Sequence, residues 1–310
     1  MEFRKFGSSD LNASIIGLGC NNFGWKCDAA QIKTVVDAAL DSGITFFDTA
    51  DMYGDTRSEE MLGAALGARR SDVIVATKFG ALMDENGKRK GASRAVVFES
   101  AEASLRRLGT DYIDLYQVHF PDRETPWAET MEALHELVQS GKVRFIGVSN
   151  VTVDDLKQTA TIAAEKHITP FVSCQSEYSL LVRDVEKDVL PEVSRQSMGF
   201  LPYFPLASGM LTGKYTNGTP KGSRLEGASG FLERFADIHA VELARKASTF
   251  AAERNRTPVE LAFSWLASHP VVTSIIAGAT SPEQVRQNAR AADKLMAKNE
   301  MSDLEKVLAA

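Results

Sequence analysis

Eight short apolar runs recur along this chain, most of them followed by a turn and an amphipathic stretch with helical spacing. They are SIIGLG (14–19), ITFFDTA (44–50), DVIVATKF (72–79), YIDLYQVH (112–119), VRFIGVSN (143–150), FVSCQSEY (171–178), GFLPYFPL (199–206) and VTSIIAGA (272–279). Near-continuous β-branched and aromatic content suits parallel strands covered on both faces. Between them, residues 29–41 place Ile32, Val35, Val36, Ala39 and Leu40 on one helical face, with Gly43 as a stop signal. Residues 93–108 open on Ser93 as an N-cap and end before Gly109; 127–139, 153–166 and 282–293 read similarly. A length of 310 residues allows two domains, but α/β barrels of ~250 residues or more form one. Eight alternations without a central break in composition favour an α/β fold of one closed (β/α)8 TIM barrel, a single domain over residues 1–310.

Three additions stand outside the repeat. EFRKF (2–6), a Gly-Ser-Ser-Asp turn and LNAS (11–14) read as an N-terminal β-hairpin. Residues 207–240 form a long loop after the seventh barrel strand, and SDLEKVLAA closes the chain as a C-terminal helix. The net charge of −6 argues against a nucleic-acid surface. No apolar run approaches ~18 residues and the N-terminus has no signal-peptide core, so a soluble cytoplasmic protein without membrane contact is expected. The three dispersed cysteines argue against a disulfide framework, and neither CxxC nor HExxH occurs, so no metal site is expected. Gly17-Leu18-Gly19 follows a strand, but Asn22 stands where a dinucleotide fingerprint needs its third glycine. It reads as a tight turn.

In such a barrel the active site lies at the C-terminal strand ends. The second run ends in Asp48, with Tyr53 in the following loop; the third carries Lys78, the fourth His119, the fifth Ser149 and Asn150, the sixth Gln175 and the seventh Tyr203. Singly, each has an ordinary structural use: a turn cap, a loop cover, a snorkelling lysine, a hydrogen-bonded core histidine. Together they are harder to explain as packing, because a buried Lys–Asp pair at neighbouring strand ends is costly unless it is used. The set suits proton donation to a carbonyl. A tyrosine titrates near ~10, and a neighbouring ammonium lowers that value. Asp48 would hold Lys78 charged, and His119 would orient the carbonyl oxygen or relay a proton. A hydride has to come from a cofactor. A Schiff-base lysine at Lys78 in a phosphate-binding isomerase or aldolase barrel is the rival chemistry.

GITFFDTADMYG (43–54), SEEMLGAAL (58–66), VATKFG (75–80), DLYQVHFPD (114–122), GKVRFIGVSN (141–150), YFPLASGMLTGKY (203–215) and GATSPEQVRQN (278–288) together resemble the aldo-keto reductase family, in order and over nearly the whole chain. The resemblance implies an NADP(H)-dependent oxidoreductase that reduces aldehydes or ketones, with Tyr53 as general acid and Asp48, Lys78 and His119 completing a tetrad. It implies that Ser149, Asn150 and Gln175 hold the nicotinamide carboxamide and that Tyr203 stacks on its ring. Pro205, Leu206, Ala207, Gly209 and Lys214 would fold over the pyrophosphate. Gly278, Thr280, Gln284, Gln287 and Asn288 would contact the adenosine ribose-phosphate; Ser281-x-x-Gln284 also reads as an ordinary capping box.

The best-known reductase branch has Lys and Arg where this chain has Gly278 and Gln284, which weakens the case for a 2′-phosphate there. Arg224, ten residues beyond Lys214, matches the spacing of bacterial reductases and of the potassium-channel β-subunit branch, whose arginine meets that phosphate. NADP(H) is therefore expected ahead of NAD(H). Phe204 stands where a serine is common. Asn22, Phe23, Trp25, Phe79 and Phe120 are the expected substrate-pocket walls, with Met52 and Phe231 as further candidates. The partner is a small carbonyl substrate. A cofactor-binding regulatory subunit, like the channel β-subunits, is the alternative function.

Overall fold

All eight apolar runs become barrel strands in the computed structural model, which describes residues 1–83, 90–214 and 238–309. They are β3 (Ile16–Gly19), β4 (Phe46–Asp48), β5 (Ile74–Phe79), β6 (Ile113–Val118), β7 (Val143–Ser149), β8 (Ser173–Glu177), β9 (Gly199–Tyr203) and β10 (Ile275–Gly278). Each pairs in parallel with its neighbours, and β10 closes the ring against β3. Every strand is shorter than its run, trimmed at one end or both. The expected hairpin is present as β1 (Phe3–Lys5) and β2 (Asn12–Ser14), paired antiparallel.

Among the described residues the helices are α1 (Ala29–Asp41), α2 (Arg57–Leu66), α3 (Arg94–Leu108), α4 (Trp127–Gln139), α5 (Val153–Lys166), α6 (Val189–Arg195), α7 (Ile238–Ala252), α8 (Pro258–Ala267), α9 (Pro282–Ala291) and α10 (Lys298–Ala309). Reciprocal side-chain caps start α1 (Asp28 with Gln31), α5 (Thr152 with Asp155) and α8 (Thr257 with Glu260). Ser93 precedes α3 in the extended conformation of a cap, but its side chain makes no capping hydrogen bond. The C-terminal helix begins earlier than expected, at Lys298. Of the expected 207–240 loop, a short 3-10 turn spans Ala207–Thr212 and α7 begins at Ile238. None of the described helices is long and apolar enough to cross a membrane.

The alternation of side chains along a strand sorts each barrel residue to one of two faces. Phe46, Ile74, Ala76, Leu115, Leu201 and Ile276 fill the barrel interior together with Phe6, Leu11 and Ala13 of the hairpin region. Phe6 lies 5.5 Å from Phe46, ring centroid to centroid, so the hairpin plugs the bottom of the barrel. The intervening residues, among them Phe47, Val75, Phe79, Tyr116, Val118, Ile146, Val148 and Cys174, point outward into the layer under the helices. Two steps up from the inward apolar layer come Asp48, Lys78, Gln117 and Tyr203. The same period that builds the core therefore delivers a ring of polar groups to the mouth.

Candidate active site

Lys78 is fully buried, and its Nζ donates to Asp48 Oδ2 at 2.7 Å, to the Thr49 carbonyl at 2.9 Å and to Tyr53 Oη at 3.4 Å. Burial works against the Lys78 charge, but Asp48 and then Tyr53 outweigh it and hold the ammonium above its ordinary value. Tyr53 is half-buried and meets the His119 ring edge-on at 5.8 Å. Burial pushes its phenol up; Lys78 pulls the other way without overcoming it, and Asp48 adds to the rise. The net direction corrects the expectation of a lowered phenol: Lys78 acts as foreseen, but loss of water around the ring is the larger effect.

Tyr53 is held by a tight turn. Gly54 has φ +60°, and a Cβ there would come within 2.2 Å of the Phe23 carbonyl oxygen, so only glycine fits. Asp55 and Thr56 continue in the left-handed region before α2 begins. Arg57 Nη2 donates to the Gly24 carbonyl at 2.6 Å and ties this loop to the one after β3.

The other Asp48 oxygen accepts from Gln175 Nε2 at 2.9 Å and from Gln117 Nε2 at 3.4 Å. Gln117 is a site residue that the strand-end reading passed over. Its signal was parity: it lies two residues before His119 on the inward face of β6. Gln175, expected to face a carboxamide, also serves as a brace for Asp48. Around the rim, Tyr203 donates its hydroxyl to Asn150 Oδ1 at 2.8 Å. Asn150 Nδ2 donates to Ser149 Oγ and to the His119 carbonyl, both at 3.0 Å. Asn150 adopts φ +58°, which turns its amide into the mouth. The half-buried Tyr203 ring is thus held at its tip by Asn150.

Phe204 follows at φ +51°, its ring edge-on to Tyr203 at 5.1 Å. Pro205 and Ala207 are buried, Leu206 and Gly209 half-buried, and Lys214 exposed. Ala207 and Ser208 are left-handed as well, so the chain coils tightly past Tyr203. Arg224 and Phe231 lie outside the described residues.

On the neighbouring strand β10 and the helix after it, Gly278 is exposed, Thr280 half-buried, Gln284 and Gln287 exposed and Asn288 buried. Asn288 Nδ2 reaches the Gly278 carbonyl at 3.5 Å. The capping box of α9 forms by half: Ser281 Oγ accepts from the Gln284 amide at 3.3 Å. The Gln284 side chain turns to Thr280 instead, accepting from its amide at 2.9 Å and its hydroxyl at 3.2 Å.

The expected pocket walls divide. Phe120 is half-buried and stacks on His119 at 4.7 Å, beside the tetrad. Trp25 is exposed on the loop after β3. Asn22 is buried next to β10, its Nδ2 about as close to Gly278 as a side chain there would allow (3.3 Å from a Cβ). Phe23 and Phe79 are fully buried in the outer apolar layer, and Phe79 stacks on Tyr116 at 4.8 Å. These two correct the expectation. With Lys78 pointing inward, its neighbour Phe79 has to point outward.

A model of the aldo/keto reductase family matches residues 15–309. A protein named as a probable voltage-gated potassium channel subunit beta, from Oryza sativa subsp. japonica, is 35% identical over 94% of this chain and 92% of its own length. An L-glyceraldehyde 3-phosphate reductase of Escherichia coli strain K12 is 33% identical over 95% of this chain and 88% of its own. An aldo-keto reductase of Bacillus subtilis is 33% identical over 99% and 94%. With the barrel and its polar ring in place, these likenesses establish that the chain belongs to the aldo/keto reductase family.

Proposed function

We propose that this protein is an NADP(H)-dependent carbonyl reductase in which Tyr53 is the general acid. The observation that carries the reading is the single Lys78 ammonium in reach of both Asp48 and Tyr53. When bound, the nicotinamide supplies a hydride to the carbonyl carbon. Tyr53 delivers its proton to the carbonyl oxygen as negative charge builds there. Lys78 stabilises the phenolate left behind, and Asp48, braced by Gln117 and Gln175, keeps the ammonium aimed at it. His119, edge-on to Tyr53, orients the oxygen.

The residues that would hold the cofactor ring are Ser149, Asn150, Gln175 and Tyr203, already cross-linked at the mouth. The coil from Pro205 to Gly209, with Lys214, would cover the pyrophosphate. Gly278, Thr280, Gln284, Gln287 and Asn288 would take the adenosine end. Because Gln284 brings no positive charge, Arg224 is assigned the 2′-phosphate. The three cysteines are unpaired and buried, which suits a reducing cytoplasm.

Parallel fluorescence titrations with NADPH and NADH test the cofactor assignment. Tighter NADPH binding is expected; equal or tighter NADH binding overturns it. The likeness to a channel-subunit protein supports a second reading, a cofactor-binding regulatory subunit. NADPH binding without turnover on any of a panel of aldehydes and ketones, with co-purification of a partner chain, would favour that reading.

A further inference from the structure

Behind the tetrad lies a pair of hydroxyls to which the proposed reaction gives no part. Ser58, on the first turn of α2, is fully buried. Thr56, at the start of that helix, makes no side-chain cap, and the Ser58 hydroxyl turns away from the helix altogether. Its Oγ donates to the Cys20 carbonyl at 2.9 Å and lies 2.9 Å from Thr49 Oγ1. A serine hydroxyl has one hydrogen, and here Cys20 takes it, so Thr49 is the donor in the second contact. The Ser58 amide donates to the Tyr53 carbonyl at 3.1 Å. Cys20 in turn donates its amide to the Asp48 carbonyl at 2.8 Å. Thr49 is also fully buried, and its amide donates to the Ala76 carbonyl at 2.8 Å. One serine therefore binds the backbone of the proposed acid, the residue after Asp48 and the loop beside it.

The Lys78 ammonium has three hydrogens and, among the described residues, three acceptors: Asp48 Oδ2, the Thr49 carbonyl and Tyr53 Oη. An ammonium is tetrahedral, so fixing two of its hydrogens decides where the third points. Asp48, which takes the first, is braced by Gln117 and Gln175. The Thr49 carbonyl takes the second, at 2.9 Å, and Thr49's own side chain is anchored on Ser58. We infer that Ser58 and Thr49 are a positioning pair for proton transfer: their hydroxyl contact fixes the Thr49 carbonyl, and so the Lys78 hydrogen that faces Tyr53. The inference rests on the proposed role of Tyr53. At 3.4 Å the contact to Tyr53 is the longest of the three and is the first to suffer from any drift of the ammonium. The start of α2 is itself fastened to β5. Glu59, next to Ser58, accepts from the Thr77 hydroxyl at 2.5 Å, one residue before Lys78, and from Arg107 Nε at 2.7 Å. Ser58 thus stands on a turn tied to both of the strands that carry Asp48 and Lys78.

Two measurements on the full chain test this. Thr49→Val keeps the shape of the side chain and removes its hydroxyl, and Ser58→Ala removes the acceptor. In NADPH-driven reduction of a small aldehyde each is expected to lower kcat by about tenfold, with KM and NADPH affinity within about twofold of wild type. Thr49→Ser, which restores the hydroxyl, is expected to recover most of the kcat that Thr49→Val loses. Unchanged kcat in both deletions, or a Thr49→Ser no better than Thr49→Val, overturns the inference, whatever the three variants do to stability. The second measurement needs no turnover. The Lys78 ammonium is followed at neutral pH by nitrogen NMR of labelled lysine and assigned by its through-space contacts with Thr49 and Tyr53. Its hydrogens are expected to exchange with water about tenfold faster in Thr49→Val and Ser58→Ala, and at a rate near wild type in Thr49→Ser. Equal exchange in wild type and both deletions overturns the inference. A wild type without turnover, in which the deletions still free the ammonium, would count against the reductase reading alone. If Ser58→Ala does not fold, the two Thr49 variants decide.

Discussion

The Lys78 ammonium stands 2.7 Å from the Asp48 carboxylate, with the lysine side chain wholly out of water and the aspartate nearly so. A pair this deep is worth little as a stabiliser compared with apolar residues of the same volume. Its value lies in aim: Asp48 is gripped by two glutamine amides on one oxygen and by Lys78 on the other, so the ammonium has a fixed direction. That direction includes the Tyr53 hydroxyl.

Removing one partner should expose the cost of the other. Lys78→Met leaves Asp48 as a buried anion and is expected to destabilise the fold by about 3–5 kcal/mol, with loss of turnover. Denaturant unfolding measures it. A double variant, Asp48→Asn with Lys78→Met, should recover part of the stability and none of the activity. Unchanged stability in Lys78→Met would show that Asp48 is neutralised in another way.

Phe79 and Trp25 should separate packing from substrate contact. Phe79→Ala empties a fully buried site against Tyr116 and is expected to cost about 3–5 kcal/mol. Trp25 is 69% exposed at the mouth, so Trp25→Ala should stay within about 0.5 kcal/mol of wild type. Steady-state kinetics on an aldehyde panel should show the larger KM change for Trp25→Ala. The reverse order would return Phe79 to the pocket.

If Arg224 takes the 2′-phosphate as proposed, Arg224→Ala should weaken NADPH by about tenfold or more while leaving NADH within about twofold, since only NADPH carries that group. Equal losses for both cofactors would place Arg224 elsewhere on the molecule.

Asp155 ties the loop after β6 to the start of α5. It accepts from Arg123 at 2.6 and 2.9 Å, from Trp127 Nε1 at 3.0 Å and from the Thr152 amide at 2.9 Å. Burial opposes its charge, but these donors outweigh it and hold the carboxyl well below the usual carboxylate range. A folded value below the unfolded one stabilises the protein above the unfolded value of ~4 and stops doing so as pH falls further. Thermal melts from neutral to acid pH should therefore drop more steeply for wild type than for Asp155→Asn. Parallel curves would show that Asp155 has no part in acid unfolding.

Strand positions and the Asp48, Tyr53, Lys78, His119 set were legible because both follow from local pattern: apolar runs make strands, and strand ends in a closed barrel converge. The sides that the residues face were less so. Phe79 reads as a pocket wall in the sequence, yet its neighbour Lys78 takes the inward face, and Gln117 shares that face by its parity with His119. Period-two bookkeeping, applied residue by residue, would have resolved both. The net direction of the Tyr53 shift was not legible at all. It is set by how much water the folded loops remove, and no sequence spacing reports that.

The most direct test of Tyr53 as proton donor is Tyr53→Phe, assayed for NADPH binding by fluorescence and for aldehyde reduction in the same preparation. Removing the Tyr53 hydroxyl, which lies within reach of Lys78, should leave cofactor affinity within about twofold and lower kcat by about a hundredfold or more. Wild-type turnover in Tyr53→Phe, with the cofactor still bound, would contradict it.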